Sequence, residues 1–216
     1  MPNKSECGTL IVTGASRGIG AAIAKLAGRR GFSVAVNFAT GEAEAKAIAR
    51  QIVSAGGRGC AIQADVAREK DVVRLFETAE RKPEPIKGLV NNAAITGGFS
   101  RVESVSAKAL AQVMAVNVTG AILCAREAVR RMSTRRGGTG GAIVNISSRA
   151  ARIGSAGEWV HYAASNGAPD RLQRLTATIS LQRPGTATEV AEAVLWLLSP
   201  AASYTTGAIL EVGGGR

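Results

Sequence analysis

The sequence predicts an α/β fold: one domain, built as a doubly wound parallel sheet with helices on both faces. Three features of the 216 residues carry that prediction. Short apolar runs alternate with amphipathic stretches along most of the chain. The first apolar run ends in a glycine-rich turn, "TGASRGIG" (13–20), that opens a helical stretch. No repeat, low-complexity tract or linker divides residues 1–216. Strands alternating with helices need crossovers, and right-handed crossovers bury a parallel sheet between two helix layers.

The elements follow in order. "TLIVTG" (9–14) is a short apolar run ending in glycine, and "IGAAIAKLAGRRG" (19–31) has helical spacing with a glycine stop. "FSVAVNF" (32–38) is strand-like, and "EAEAKAIARQIVSAGG" (42–57) is an amphipathic helix. "GCAIQADV" (59–66) is a strand leading into a helix over 68–81, and "IKGLVNNAA" (86–94) is a strand followed by a turn. Helices are expected at 106–116 and 118–136, and "GAIVNISS" (141–148) is the next strand. A helix should span 157–168, and "TEVAEAVLWLL" marks another at 187–198. Between those two a further buried strand is due. The candidate "LTATISL" (175–181) alternates apolar and polar, which suits a half-exposed strand better than a central parallel one.

Composition narrows the class. Hydrophobic residues make up 46% and charged ones 20%, enough apolar content for a sizeable core. No window holds eighteen uncharged apolar residues, so no membrane span is expected. The start, "MPNKSECGTLIVTG", passes from a short polar tip into a strand-like run and does not read as a signal peptide. Cys7, Cys60 and Cys124 are odd in number and lack metal spacing, which suits free thiols in a cytoplasmic protein. The formal net charge is +11. Basic pairs such as Arg29–Arg30, Arg130–Arg131 and Arg135–Arg136 lie near predicted helix ends, where cations complement the dipole. With only 4% aromatic residues to stack on bases, no nucleic-acid partner is expected. A basic surface does attract a polyanionic cofactor.

The chemistry-bearing residues sit where strands end. In "TGASRGIG", Gly14, Gly18 and Gly20 let the backbone turn sharply and approach a pyrophosphate at the helix N-terminus. That strand–turn–helix context marks a dinucleotide site. The second strand ends at Asn37 without an acid, and Arg17 lies inside the glycine turn. A carboxylate there would bind the adenosine ribose hydroxyls and repel a 2′-phosphate, so the pair favours NADP(H) over NAD(H). Asp65 follows the third strand and could accept from an adenine amino group or cap the next helix. Asn91 and Asn92 end the fourth strand in "NNAA"; an asparagine there commonly fastens neighbouring backbone. Asn117, in "MAVNVTG", could kink a helix or hold a water. Ser147 and Ser148 end the strand "AIVNISS", where a hydroxyl faces the ligand crevice or caps a turn.

In combination these stretches resemble the short-chain dehydrogenase/reductase family. The resemblance covers residues 8 to 168 and 181 to 216 through "TGASRGIG", "NNAA", "MAVNVTG", "IVNISS", "YAASNGA", "LQRPG", "EVAEAVLWLLS" and "YTTGAILEVGGG". It implies a Rossmann-type domain that binds a nicotinamide dinucleotide and moves hydride between it and a carbonyl or alcohol. It further implies that Asn117, Ser148 and Tyr162 match three catalytic positions: a water-holding asparagine, a carbonyl-orienting serine and a proton-donating tyrosine. Gly14, Ser16, Arg17, Ile19, Asp65, Val66, Asn91 and Ala93 match cofactor positions. "RAARIGSAGEWVHY" (149–162) would line the substrate pocket, with Arg149, Arg152, Trp159 and His161 as candidate contacts. Helices 106–116 and 118–136 would pack against a twofold mate, giving a homodimer or homotetramer.

The chain departs from the pattern twice. Family members carry a lysine four residues after the tyrosine; here that position is Asn166. On a helix those residues are neighbours, and an amide keeps a hydrogen bond but supplies no charge to a phenol whose reference pKa is near 10. The second departure is length. After "NGA" the chain reaches "LQRPG" almost at once, short by about thirty residues judged from usual element lengths. Losing a sheet strand would bare backbone groups and apolar faces, so an omitted segment between 168 and 181 is expected in preference to a true deletion. Two functions follow: an NADP(H)-dependent oxidoreductase, or an NADP-binding paralogue that senses or scaffolds with little turnover.

Overall fold

The computed structural model describes residues 7–98, 101–148, 180–181 and 183–214. The strands β1 (Thr9–Val12), β2 (Ser33–Phe38), β3 (Arg58–Gln63), β4 (Ile86–Asn91) and β5 (Ala142–Asn145) form one sheet. Its order is β3-β2-β1-β4-β5, and every neighbouring pair runs parallel. The chain winds outward from β1 to β3, then crosses to β4. That reversal opens a crevice at the carboxyl ends of β1 and β4, where ligands bind in open α/β sheets. The helices are α1 (Gly18–Arg29), α2 (Glu42–Ser54), α3 (Glu69–Glu80), α4 (Ala107–Met114), α5 (Ala121–Met132) and α6 (Ala187–Leu197). The doubly wound α/β class read from the sequence is the fold observed.

Period-two alternation sends β-strand side chains into two cores. Leu10, Val12, Val34, Val36 and Phe38 pack with α1, α2 and α6 on one face. Ile11, Ala35, Ile62 and Leu89 pack with α3 and α5 on the other, against Leu75, Phe76, Cys124 and Ala128. β1 and β2 are buried at every position, as strands covered on both faces must be. An ion pair between Arg30 and Glu192 ties α1 to α6. Thr186 caps α6 in a reciprocal box with Glu189. Arg183, together with Thr186, holds the Glu189 carboxyl down at about 2.

One expectation is revised. The helices expected at 106–116 and 118–136 are one continuous helical rod: α4 runs through a π turn at Ala115–Gly120 straight into α5. By length and composition this rod could cross a membrane. In the structure α5 packs on α3 and β4, and it carries the buried Glu127. The expected helix at 157–168 and residues 175–179 of the candidate strand lie outside the described residues. So does most of the stretch after 168 where the chain runs short. Towards the end of the chain, residues 208–212 join no described strand, and Ile209, Leu210 and Val212 are exposed. Among the described residues β5 is the last strand of the sheet, and no further strand pairs with it.

Candidate active site

The glycine turn is held from two sides. Thr13, at the end of β1, is buried. Its hydroxyl donates to the Val90 carbonyl (3.3 Å) and accepts from the backbone N–H groups of Asn92 (2.9 Å) and Ala93 (3.0 Å). The Asn92 amide donates in return to the carbonyls of Thr13 (2.9 Å) and Gly14 (3.0 Å). Asn92 thus plays the fastening role expected of it. From the other side Asn37, also buried, accepts the Gly14 N–H on its side chain (3.3 Å) and the Ala15 N–H on its backbone carbonyl (2.8 Å). Gly14 takes φ +61°, and a Cβ built there would stand 2.8 Å from Ala93 Cα. Both the left-handed backbone and the close approach demand glycine.

Beyond the turn, α1 begins without a side-chain cap: Arg17 is its N-cap residue, and no side-chain cap bond is made there. The first-turn N–H groups carry the positive end of the helix dipole, the feature that holds a pyrophosphate. Arg17 and Gly18 are exposed, and around Gly18 a built Cβ meets nothing within 4 Å. Ser16 and Ile19 flank them, each half-buried. The residues therefore fit a dinucleotide: a rigid turn, helix N-terminal donors, a neighbouring cation and open space between them.

Around the crevice the other sequence-selected residues fall into place by strand. Val66 is buried after β3 and packs beneath Gly120. Asp65 closes its own turn: its carboxylate accepts the Ala67 N–H (3.0 Å) and lies 3.5 Å from Arg68. It does not cap α3, whose N-cap residue is Arg68 with no side-chain cap bond. The Asp65 N–H in turn donates to Asp71 (3.0 Å), and that bond is the leading cause holding the Asp71 carboxyl below its ordinary range. Asn91 is buried and donates to the Ala121 carbonyl (3.1 Å) and to Asn145 Oδ1 (2.9 Å). Its own Oδ1 is buried and has no partner among the described residues. Ala93, half-buried, follows on the same loop.

Asn117 sits in the π turn, and its amide bonds both ways to Ile95: Oδ1 accepts the Ile95 N–H (2.9 Å) and Nδ2 donates to the Ile95 carbonyl (2.9 Å). Inserting one residue per turn breaks the regular ladder, and such π turns are frequent at functional sites. The side chain thereby ties the loop after β4 to the helical rod. A cavity of about 350 Å³ opens beside it, lined among others by Thr13, Asn91, Asn117, Asn145 and Ser147. Cys124 also lines it, but burial, aided by Glu127, pushes its thiol up to about 12, so it stays protonated and unreactive. Ser148 follows β5, half-buried, at the same end of the sheet. Tyr162, Asn166, Arg149, Arg152, Trp159 and His161 lie outside the described residues.

The structure brings together residues that the sequence placed separately: Thr13 at the start of the glycine turn, Asn91, Ala93, Asn117 and Ser147 line one cavity at the carboxyl ends of β1, β4 and β5. Sequence reasoning missed Thr13 and Asn145. The available signal for Thr13 was a hydroxyl placed directly between the apolar run "LIV" and Gly14.

Comparison with known proteins agrees with this arrangement. Residues 8–184 match the family model described as short chain dehydrogenase, and residues 162–216 match that of enoyl-(acyl carrier protein) reductase. An uncharacterized oxidoreductase of Escherichia coli, YgfF, is 40% identical over 243 positions, covering 95% of this chain and 98% of that protein. That span exceeds the 216 residues here, so at least 27 of its positions have no counterpart in this chain. The 3-oxoacyl-[acyl-carrier-protein] reductase of Synechocystis is 32% identical, covering 95% of each chain. A solved short-chain dehydrogenase/reductase of Serratia marcescens, a double mutant in which two phenylalanines are replaced by tyrosine, superposes with a TM-score of 0.86 at 27% identity, covering 99% of both chains. These matches make the chain an oxidoreductase that belongs to the short-chain dehydrogenase/reductase family.

Proposed function

We propose that the protein is an NADP(H)-dependent oxidoreductase acting on a small or medium carbonyl compound or its alcohol. The observation that carries the cofactor preference is an exposed Arg17 at the open end of α1, together with a β2 end at Phe38 that bears no carboxylate. Arginine pairs strongly with phosphate, and nothing at the strand end repels a 2′-phosphate. When bound, the nicotinamide supplies or accepts the hydride. The chain's part is to hold and orient. The turn at 13–20 and α1 hold the diphosphate. The π turn fixes Asn117 to Ile95 and shapes the cavity. Ser148 orients the carbonyl oxygen, and Tyr162 donates the proton to it. Substrate contacts fall to Arg149, Trp159 and His161.

Asn166 favours a second reading, an NADP-binding paralogue with little turnover. A turnover assay over a panel of sugars, ketoacyl thioesters and simple ketones, run beside a cofactor titration, separates them. NADPH consumption with any panel member supports the enzyme; binding without consumption supports the paralogue. The composition supports a cytoplasmic location. Exposed Leu110, Met114, Ile122 and Val129 stripe one side of the α4–α5 rod at intervals near one or two turns, a face suited to a second copy of this chain.

A further inference from the structure

The residue that ends β2 was read from the sequence as the place where the adenosine ribose is sensed. Its surroundings say otherwise. Phe38 belongs to the core under α1 and α2. One residue earlier, Asn37 points to the opposite face, since a strand alternates. It is 1% exposed. Its Nδ2 donates to the carbonyls of Ile62 (3.3 Å) and Ala64 (3.0 Å), just where β3 ends. Its Oδ1 accepts the Gly14 N–H, and its backbone carbonyl accepts the Ala15 N–H. Every polar atom of the side chain is thus engaged with protein backbone. One buried point there needs an acceptor on one side and two donors on the other. Among side chains of this size only asparagine offers both; aspartate has no donor, and leucine has neither.

We infer that Asn37 is a positioning residue for the cofactor. It presets the 14–15 turn against the ends of β2 and β3, and it does not read the ribose; this rests on the dinucleotide reading above. Two consequences separate it from the alternatives. The turn serves the diphosphate, which NADPH and NADH share, so disturbing residue 37 should weaken both alike. An aspartate at 37 should create no preference for NADH, because its carboxylate would lie among the Ile62 and Ala64 carbonyls and away from the ribose.

The experiment is fluorescence titration of the apoprotein with NADPH and, separately, NADH, for the unmutated chain, Asn37→Ala and Asn37→Asp, with thermal melting of each apoprotein. Arg17→Glu serves as a comparator in which the NADPH:NADH ratio is free to move. Expected for Asn37→Ala is a loss of about tenfold in affinity for both nucleotides, the effect of one hydrogen bond to buried backbone. The ratio should stay within about twofold of the unmutated protein for both variants. A changed ratio in either variant overturns the inference in favour of ribose reading. A lowered melting temperature with unchanged affinities, measured well below the transition, overturns it in favour of a purely structural role. If Asn37→Ala does not fold, Asn37→Asp still decides, because it keeps the acceptor for Gly14. An unmutated protein that binds neither nucleotide overturns the dinucleotide reading itself, and this inference with it.

Discussion

Thr13 and Asn92 clasp each other through two hydrogen bonds of 2.9 Å: the Asn92 N–H donates to the Thr13 hydroxyl, and the Asn92 amide donates to the Thr13 carbonyl. The clasp joins the ends of β1 and β4 at the point where the sheet order reverses. Replacing the hydroxyl with a methyl group keeps shape and removes the acceptor. Thr13→Val should therefore orphan two N–H groups, those of Asn92 and Ala93, and cost about 2–3 kcal/mol. Denaturant unfolding checks the value, and a loss below about half of it would show that the clasp is incidental.

Much of this arrangement was legible in the chain and part was not. The glycine turn announced itself because a left-handed Gly14 and a close approach to Ala93 leave no other residue acceptable. The parallel sheet followed from apolar runs such as "LIV" and "VAV", which strands covered on both faces need. Asn37 was legible as the neutral residue near the end of β2, but its bonds to Gly14, Ile62 and Ala64 were not, because they join segments far apart in the chain. A break in the helical pattern at Asn117 was legible, but its partner Ile95 was not, because that contact spans 22 residues and no local pattern encodes it.

Glu127 gives the molecule an acid-sensitive brace. Its side chain is 3% exposed and meets Arg131 and Arg130 at 2.7 Å and Arg126 at 3.1 Å. Burial works to raise its pKa, but the hydrogen bonds from Arg131 and Arg126 outweigh it and hold the carboxyl below its ordinary range. A depressed folded-state value means stability that is present above the unfolded value, near 4.3, and lost as pH falls through the folded one. Glu127→Gln should thus melt lower than the unmutated chain at pH 7, and the difference should shrink below about pH 4. The cost at neutral pH should be about 2 kcal/mol, under the figure for a fully buried pair because Arg126 and Arg130 reach water. A pH-independent difference would contradict this.

The exposed stripe on the α4–α5 rod predicts self-association. Ile122 is 63% exposed at its centre. Ile122→Arg should convert the dimer or tetramer to monomer, read by light scattering at micromolar concentration. A monomeric unmutated protein would refute the interface.

Asn166 predicts a catalytic defect of a definite kind. On the proposed reading Tyr162 donates the proton and the sequence sets an amide, Asn166, where a cation would help it, so alcohol oxidation should be slow at neutral pH and rise toward alkaline pH. Asn166→Lys should raise turnover near pH 7 at least tenfold, about 1.4 kcal/mol in barrier, and move the optimum downward. Tyr162→Phe should abolish that gain. No change on Asn166→Lys, with cofactor still bound, would place the limitation in the shortened stretch after 168 instead.

The proposed function stands or falls on the turn at 13–20 binding a nicotinamide dinucleotide and on Arg17 selecting its phosphorylated form. Side-by-side equilibrium titration of the unmutated protein and Arg17→Glu with NADPH and NADH decides both. Expected is saturable binding with NADPH the tighter ligand by about tenfold, one charge-assisted phosphate contact, and a reversed order in Arg17→Glu. Equal affinities in the unmutated protein, or an order that Arg17→Glu leaves untouched, would contradict it.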